Sequence, residues 1–266
     1  MGDTRAVDQA DRLDAALREA FAVFMPMIQG ARTREGQGYR VVSAPSFPIA
    51  LANAVWVDGP DEAPAIADLA SSLEEVRARG VAPAVVVRSG LAPGVEEEAG
   101  RLGLTTVERM PGMALTSERF RPPPGPSPEL VPVGEDEALL AVAQDVTARG
   151  FEAPPELFDG LFASKMRAEG LDLWIAFVDG EPVSTALGHV TGHDVGIFNV
   201  GTPPEHRRKG YGGWATARAV ERGFELGASF AYLQSSEMGF RVYQRLGFEQ
   251  VCEYLLLTDP GAHTDL

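Results

Sequence analysis

The chain has 266 residues, 45% hydrophobic and 23% charged, an ordinary globular composition on a length beyond the roughly 100–150 residues of a typical domain, so two compact units are expected. Its 38 acidic against 23 basic residues give a formal charge of -15, which argues against a broad nucleic-acid surface. No stretch approaches the roughly 20 apolar residues of a membrane span, and a single cysteine, Cys252, rules out an internal disulfide and disfavours a structural zinc site.

Residues 1–18 are rich in Asp, Arg, Glu and Ala and lack the apolar run of a signal peptide, so a cytoplasmic protein is expected. Leu13, Leu17, Phe21, Phe24 and Ile28 recur at helical spacing and predict an amphipathic helix over 8–28. Strands follow at 39–44 and 49–57, the second ending in the turn Asp58-Gly59-Pro60. A helix over 63–79 stops at Gly80, 84–88 suits a buried parallel strand, and 93–102 is a helix with Pro93 near its start. Residues 105–116 predict a strand pair broken at Pro111-Gly112. The run Arg121-Pro122-Pro123-Pro124-Gly125-Pro126-Ser127-Pro128 can form neither helix nor central strand and reads as an extended linker, 121–129. It divides the chain into 1–120 and 130–266.

Beyond it come a strand at 130–133, helices over 135–149 and 155–168, and strands at 171–178 and 181–190 joined by the hairpin turn Asp179-Gly180. A third strand spans 193–200, followed by helix 210–226, strand 230–234, helix 239–246 and a last strand, 248–257, whose Cys252 reads as a small core residue. Three antiparallel strands followed by helix–strand–helix–strand predict a mixed α/β domain.

The informative stretch is Asn199-Val200-Gly201-Thr202-Pro203-Pro204-Glu205-His206-Arg207-Arg208-Lys209-Gly210-Tyr211-Gly212-Gly213-Trp214, a strand entering a basic glycine loop that opens a helix. A first helical turn has unpaired N–H groups and the positive end of the helix dipole, so it attracts anions. Gly210 and Gly212 let the main chain approach a phosphate, and Arg207, Arg208 and Lys209 add charge. A dinucleotide fingerprint would need a glycine near Ala215 or Thr216, and a Walker loop would need Gly-Lys-Ser/Thr. Both fail on residues, which leaves a diphosphate cradle of another kind.

Arg207-Arg208-Lys209-Gly210-Tyr211-Gly212 resembles the Arg/Gln-x-x-Gly-x-Gly/Ala signature of the GNAT N-acetyltransferases. Ser236-Glu237-Met238-Gly239-Phe240-Arg241-Val242-Tyr243-Gln244-Arg245-Leu246-Gly247-Phe248 resembles that family's Asn-x-x-Ala-x-x-x-Tyr-x-x-x-Gly-Phe segment, with Ser236 in the Asn place and Gly239 in the Ala place. The resemblance covers 130–257 and implies binding of acetyl-CoA, its diphosphate on Arg207, Arg208, Lys209, Gly210, Tyr211, Gly212 and Gly213, with Ser236 beside them. It implies that the strand before the loop bulges and splays from the next, so that Val200 and Thr202 offer main-chain groups to the pantetheine and the thioester carbonyl. Tyr243 falls where the family protonates the leaving thiolate, and packing of its ring on the sheet is the plainer alternative.

Some members carry a glutamate as general base on the strand before the loop, and Gly196 stands there in this sequence. Asp194, His189, His193 and Glu237 are substitutes by proximity, and proton transfer to water is equally compatible. The N-terminal half repeats part of the element order, but its equivalent loop, Asp58-Gly59-Pro60-Asp61-Glu62-Ala63, is acidic. It reads as a degenerate GNAT-like domain, with Phe47, Asn53, Trp56 and Met113 as pocket-lining or core residues. The expected function is transfer of an acetyl or short acyl group from acyl-CoA to a small-molecule or peptide amine in a ternary complex, with a homodimer possible. No metal, nucleic-acid or membrane partner is expected, and an acyl-CoA-binding module without turnover is the alternative.

Overall fold

The computed structural model describes residues 2–162 and 170–261. Helix α1, Gly2–Phe24, buries Ala10, Leu13, Ala16, Leu17 and Ala20 along one face. It ends before the expected Ile28 because Pro26 has no N–H to continue it, and Met25–Met27 form a 3-10 turn. Strand β1, Arg32–Glu35, has no apolar pattern; it is a charged, exposed edge strand that composition does not announce. β2 is Tyr39–Ser43 and β3 only Ala54–Val57.

The start expected for β3 at Ile49 is a 3-10 turn, Ala50–Ala52, and Asn53 explains it. Its side chain accepts from the Ala44 N–H at 2.8 Å and donates to the carbonyls of Phe47 at 3.0 Å and Ile49 at 2.9 Å, bonds that compete with a strand ladder. Asn53 is therefore core, as is Phe47; Trp56 donates to the Leu51 carbonyl at 3.0 Å and lies 4.7 Å from the Phe21 ring.

α2 is Ala63–Arg77, β4 Ala84–Arg88 and α3 Pro93–Arg101, close to expectation. β5, Thr106–Thr116, is one continuous strand, not a pair broken at Pro111-Gly112. Its ladder to a later strand begins at Gly112, one residue past the proline, so no ladder bond there needs the missing N–H.

β6 is Glu129–Pro132 and α4 Glu137–Gly150, capped by Asp136, whose carboxylate accepts from the Ala138 and Leu139 N–H groups. The next expected helix is a 3-10 turn, Pro155–Phe158, followed by α5, Asp159–Phe162; its continuation through 163–168 lies outside the described residues. β7, Leu171–Val178, and β8, Glu181–Thr191, turn at Asp179 and Gly180, with φ of 51° and 80°. β9 is Asp194–Gly201, α6 Tyr211–Glu225, β10 Phe230–Gln234, α7 Glu237–Leu246 and β11 Glu249–Thr258. The fold is mixed α/β.

The chain divides into two compact units, and the division follows strand pairing instead of the proline-rich segment. One unit takes the chain up to Ala20 and Gly112–Val251. In it β6, β7, β8 and β9 are antiparallel neighbours, β10 runs parallel to β9, and Gly112–Thr116 of β5 runs antiparallel to β10. Its core joins Val195, Ile197, Ala231 and Leu233 to Ala215, Ala219 and Val220 of α6, and includes Met113. The other unit takes Phe21–Pro111 and the chain from Cys252. There β1, β2 and β3 are antiparallel, β3 and β4 parallel, and β11 pairs with β4 from Tyr254↔Arg88 to Thr258↔Ala84. Leu69, Leu73 and Val76 of α2 and Val95 of α3 share its core with Val55 and Val85.

Candidate functional site

The site begins with an interrupted ladder. β10 pairs with β9 only from Phe230↔Asp194 to Tyr232↔Gly196, although β9 continues to Gly201 and β10 to Gln234. Past Gly196 the two strands therefore separate. On its other side β9 pairs Leu187↔Phe198 and then Thr185↔Gly201, so three residues of β9 oppose two of β8. The extra residue makes a bulge at Asn199, whose φ is 49°.

A cluster of hydroxyls holds this bulge. Ser184 Oγ donates to the Gly201 carbonyl at 2.8 Å and lies 2.9 Å from Thr202 Oγ1; Thr147 Oγ1 lies 3.0 Å from Thr185 Oγ1. Sequence reasoning named Thr202 but missed Thr147, Ser184 and Thr185, although the adjacent hydroxyl pair between Val183 and Ala186 in β8 was the available signal. Gln234 also escaped notice: at the end of β10 its buried amide nitrogen finds no hydrogen-bond partner among the described residues.

The separated strand leads directly into the basic loop. Gly210 is the N-cap of α6 in a left-handed conformation, φ 86°, and the first turn has neither a side-chain cap nor an acidic residue. Its leading N–H groups are thus free to meet an anion. Arg208 and Lys209 are exposed beside it, Arg208 with φ of 64°. Arg207 is placed differently: Nε donates to the Thr202 carbonyl at 3.1 Å, Nη2 to the Gly150 carbonyl at 2.8 Å, and Nη1 lies 2.8 Å from Glu152 Oε1. A Cβ on Gly212 would lie 3.0 Å from Thr202 Oγ1, so glycine lets α6 close on the end of β9, with the half-buried Val200 beside it. Gly213 is buried, and the half-buried Tyr211 lies 6.5 Å, ring to ring, from His206.

α7 starts where β10 ends. Ser236 caps it by accepting from the Gly239 N–H at 3.2 Å. Tyr243 packs on the core of this unit, with its ring 6.0 Å from Phe248 and its hydroxyl unbonded among the described residues. Burial pushes the phenol up to about 12, so it is protonated at neutral pH. A Cβ on Gly239 would fall 2.8 Å from Tyr243 Cε2; glycine in the family's alanine place makes room for the ring.

The substitutes for a general base are spread along the ladder and beyond it. His189 pairs with Gly196, the last rung before the strands part, is 2% exposed, and is kept neutral by burial. Asp194 begins β9 and is bound by the Arg12 guanidinium, with Nε at 2.8 Å. His193 is exposed in the turn between β8 and β9. Glu237, exposed in the first turn of α7, is the one of the four at the open end. At Gly196 itself a Cβ would sit 2.7 Å from Tyr232 Oη, and that hydroxyl donates to the Ala16 carbonyl at 2.9 Å. Tyr232 thus fills the space a glutamate would need. Gly196→Glu is expected to restore no base and to destabilise the fold by about 1–3 kcal/mol through overpacking, read as a lower thermal midpoint.

The other unit offers no equivalent cradle in its β3–α2 loop. Asp58, Asp61 and Glu62 surround the start of α2, and Glu62 accepts from the Gly94 N–H at 2.8 Å, placing a carboxylate at the start of α3. Among the described residues no cluster of metal-ligating side chains forms, and no helix is long and apolar enough to cross a membrane.

Comparison with known proteins agrees with this geometry. Residues 139–248 match the Acetyltransferase (GNAT) family. A GCN5-related N-acetyltransferase from Kribbella flavida superposes with a TM-score of 0.74 at 23% identity, covering 96% of each chain. One from Sphaerobacter thermophilus gives 0.59 at 19% identity, over 83% of this chain and 80% of the other. A tandem GNAT protein from the clavulanic acid biosynthesis pathway gives 0.60 at 17% identity, over 96% of this chain and 95% of the other, so the tandem fold extends across both halves. No curated protein sequence matches the chain. Over the stretch from Leu139 to Phe248 the sequence thus matches the GNAT acetyltransferase family, and over the whole chain the fold is that of solved GNAT proteins.

Proposed function

We propose that this domain transfers an acetyl or short acyl group from acyl-CoA to an amine by direct attack. The observation that carries the reading is the coincidence of two features on one strand: β9 parts from β10 after Gly196, and its far end enters the uncapped N-terminus of α6. The gap suits an extended pantetheine arm paired to β9, with the main chain at Val200 and Thr202 as its polar partners. The N–H groups from Gly210 to Gly213, with the charges of Arg208 and Lys209, suit the diphosphate. Acyl-CoA supplies an activated thioester carbonyl, and a main-chain N–H aimed at it stabilises the oxyanion. The amine nitrogen bonds to the carbonyl carbon, the C–S bond breaks, the sulfur takes a proton from Tyr243, the nitrogen loses one to water, and Tyr243 regains one from water. No acyl-enzyme is invoked: the single cysteine, Cys252, lies on β11.

The filled space at Gly196 favours a second reading, an acyl-CoA-binding module without turnover. A CoA-release assay across small amines and peptide N-termini separates the two. Release with any amine supports the enzyme; no release, with a CoA-dependent rise in thermal stability, supports the module.

With the proton lost to water, the acceptor arrives deprotonated. An ordinary amine titrates near 10.4, so its kcat/KM is expected to rise about tenfold per unit between pH 7 and 9. Tyr243 stays protonated across this range and adds no falling limb. A plateau near pH 7 would identify a titrating base on the protein instead.

A further inference from the structure

We infer that Arg207 is a positioning residue: it presets the loop 202–210 against the end of α4 and leaves the diphosphate charge to Arg208 and Lys209, a division that rests on the acyl-CoA reading above. All three guanidinium nitrogens are already engaged, Nε with the Thr202 carbonyl, Nη2 with the Gly150 carbonyl and Nη1 with Glu152, and the side chain is 24% exposed. Two of these acceptors are main-chain carbonyls on different segments, which only a planar fork of donors bridges at once. The third is a carboxylate that offsets the positive charge. To turn toward a diphosphate, Arg207 would have to release all three.

A second observation marks the same place. Gly150, the last residue of α4, is in such close approach to the loop that a Cβ there would lie 2.6 Å from Thr202 N and 2.7 Å from Gly201 Cα. The Arg207 fork therefore spans the point where α4 and the start of the loop touch. Glu205 of the loop also pairs with Arg149 of α4, an exposed pair of lesser weight. On the other side of Arg207, the left-handed Arg208 and Gly210 turn the chain into α6, conformations a bulky residue such as Arg208 adopts only where its neighbours hold it. The loop is shaped before any ligand arrives, and preorganisation of this kind lowers the ordering cost of binding.

The test pairs hydrogen exchange of the 204–212 amides, without CoA, with calorimetric titration of CoA at several salt concentrations. Arg207→Lys keeps the charge and loses the fork. It is expected to speed exchange in the loop and weaken CoA binding about tenfold, with the wild-type dependence of affinity on salt. Arg208→Gln is expected to leave exchange unchanged and to flatten the salt dependence. Arg207→Gln, which retains one donor group, serves if the lysine variant does not fold, and is expected to keep the wild-type salt slope. Wild-type CoA affinity and exchange in Arg207→Lys, or a flattened salt slope in Arg207→Gln, would overturn the assignment. A wild-type protein that binds no CoA would defeat the acyl-CoA reading, while the exchange measurement would still decide whether Arg207 holds the loop.

Discussion

Tyr243→Phe is expected to lower kcat by roughly 10²–10⁴-fold with a good acceptor, the range by which a positioned general acid contributes. The substitution removes one oxygen and keeps the ring that packs on Phe248 and fits over Gly239, so the fold and the thermal midpoint should hardly move. CoA affinity should also change little, because the hydroxyl acts on charge that develops as the C–S bond breaks. The raised phenol value keeps Tyr243 protonated, and its hydroxyl donates a hydrogen bond to the sulfur before the proton follows as the C–S bond breaks. Steady-state kinetics beside CoA titration decides the matter. Wild-type turnover in the Phe variant would remove the acid role and leave the packing role alone.

Gly210→Asp is expected to cost about a hundredfold in CoA affinity, roughly 3 kcal/mol. Two effects add. The new carboxylate stands at the N-cap of α6, where it repels the diphosphate and competes for the same N–H groups. A side chain at φ 86° also strains the turn that Gly210 makes freely. Arg208→Glu inverts one exposed charge and should cost nearer tenfold. Calorimetry that returns wild-type affinity for both folded variants would place the diphosphate elsewhere.

Much of this site was legible because it is written in local chemistry. A basic stretch next to glycines, between a strand and a helix, identifies itself through the residues alone, and the Asp179-Gly180 turn fixed the hairpin that leads to it. What sequence reading missed depends on contacts between distant segments. Arg207 looked like its two basic neighbours until the carbonyls of Gly150 and Thr202 were seen to take its donors. Gly196 looked like a missing base, whereas Tyr232 and the Ala16 carbonyl show the space to be filled. Asn53 read as part of a strand because periodicity carries no record of a side chain that bonds the backbone of the segment before it, at Ala44, Phe47 and Ile49. β1 escaped because its four residues are polar and it lies at a sheet edge. The unit division escaped for a related reason: a proline-rich run shows where a chain is extended, not which strands it pairs.

That division sets the order in which the protein can be completed during synthesis. Every segment of the unit ending at Val251 has been made once that residue is added, including the β5 segment that β10 requires. The unit that begins at Phe21 cannot close then, although most of it was made first. Its β4, Ala84–Arg88, carries four buried apolar residues and waits for Tyr254–Thr258 to occupy its second edge. Domains usually mature from the N-terminus onward, and here the earlier-made one finishes last. Until then the nascent chain displays an open, valine-rich strand edge, the kind of surface that pairs with the wrong partner. A product cut short before Tyr254 would leave that edge open permanently, which makes β11 the strand on which the solubility of the first half depends.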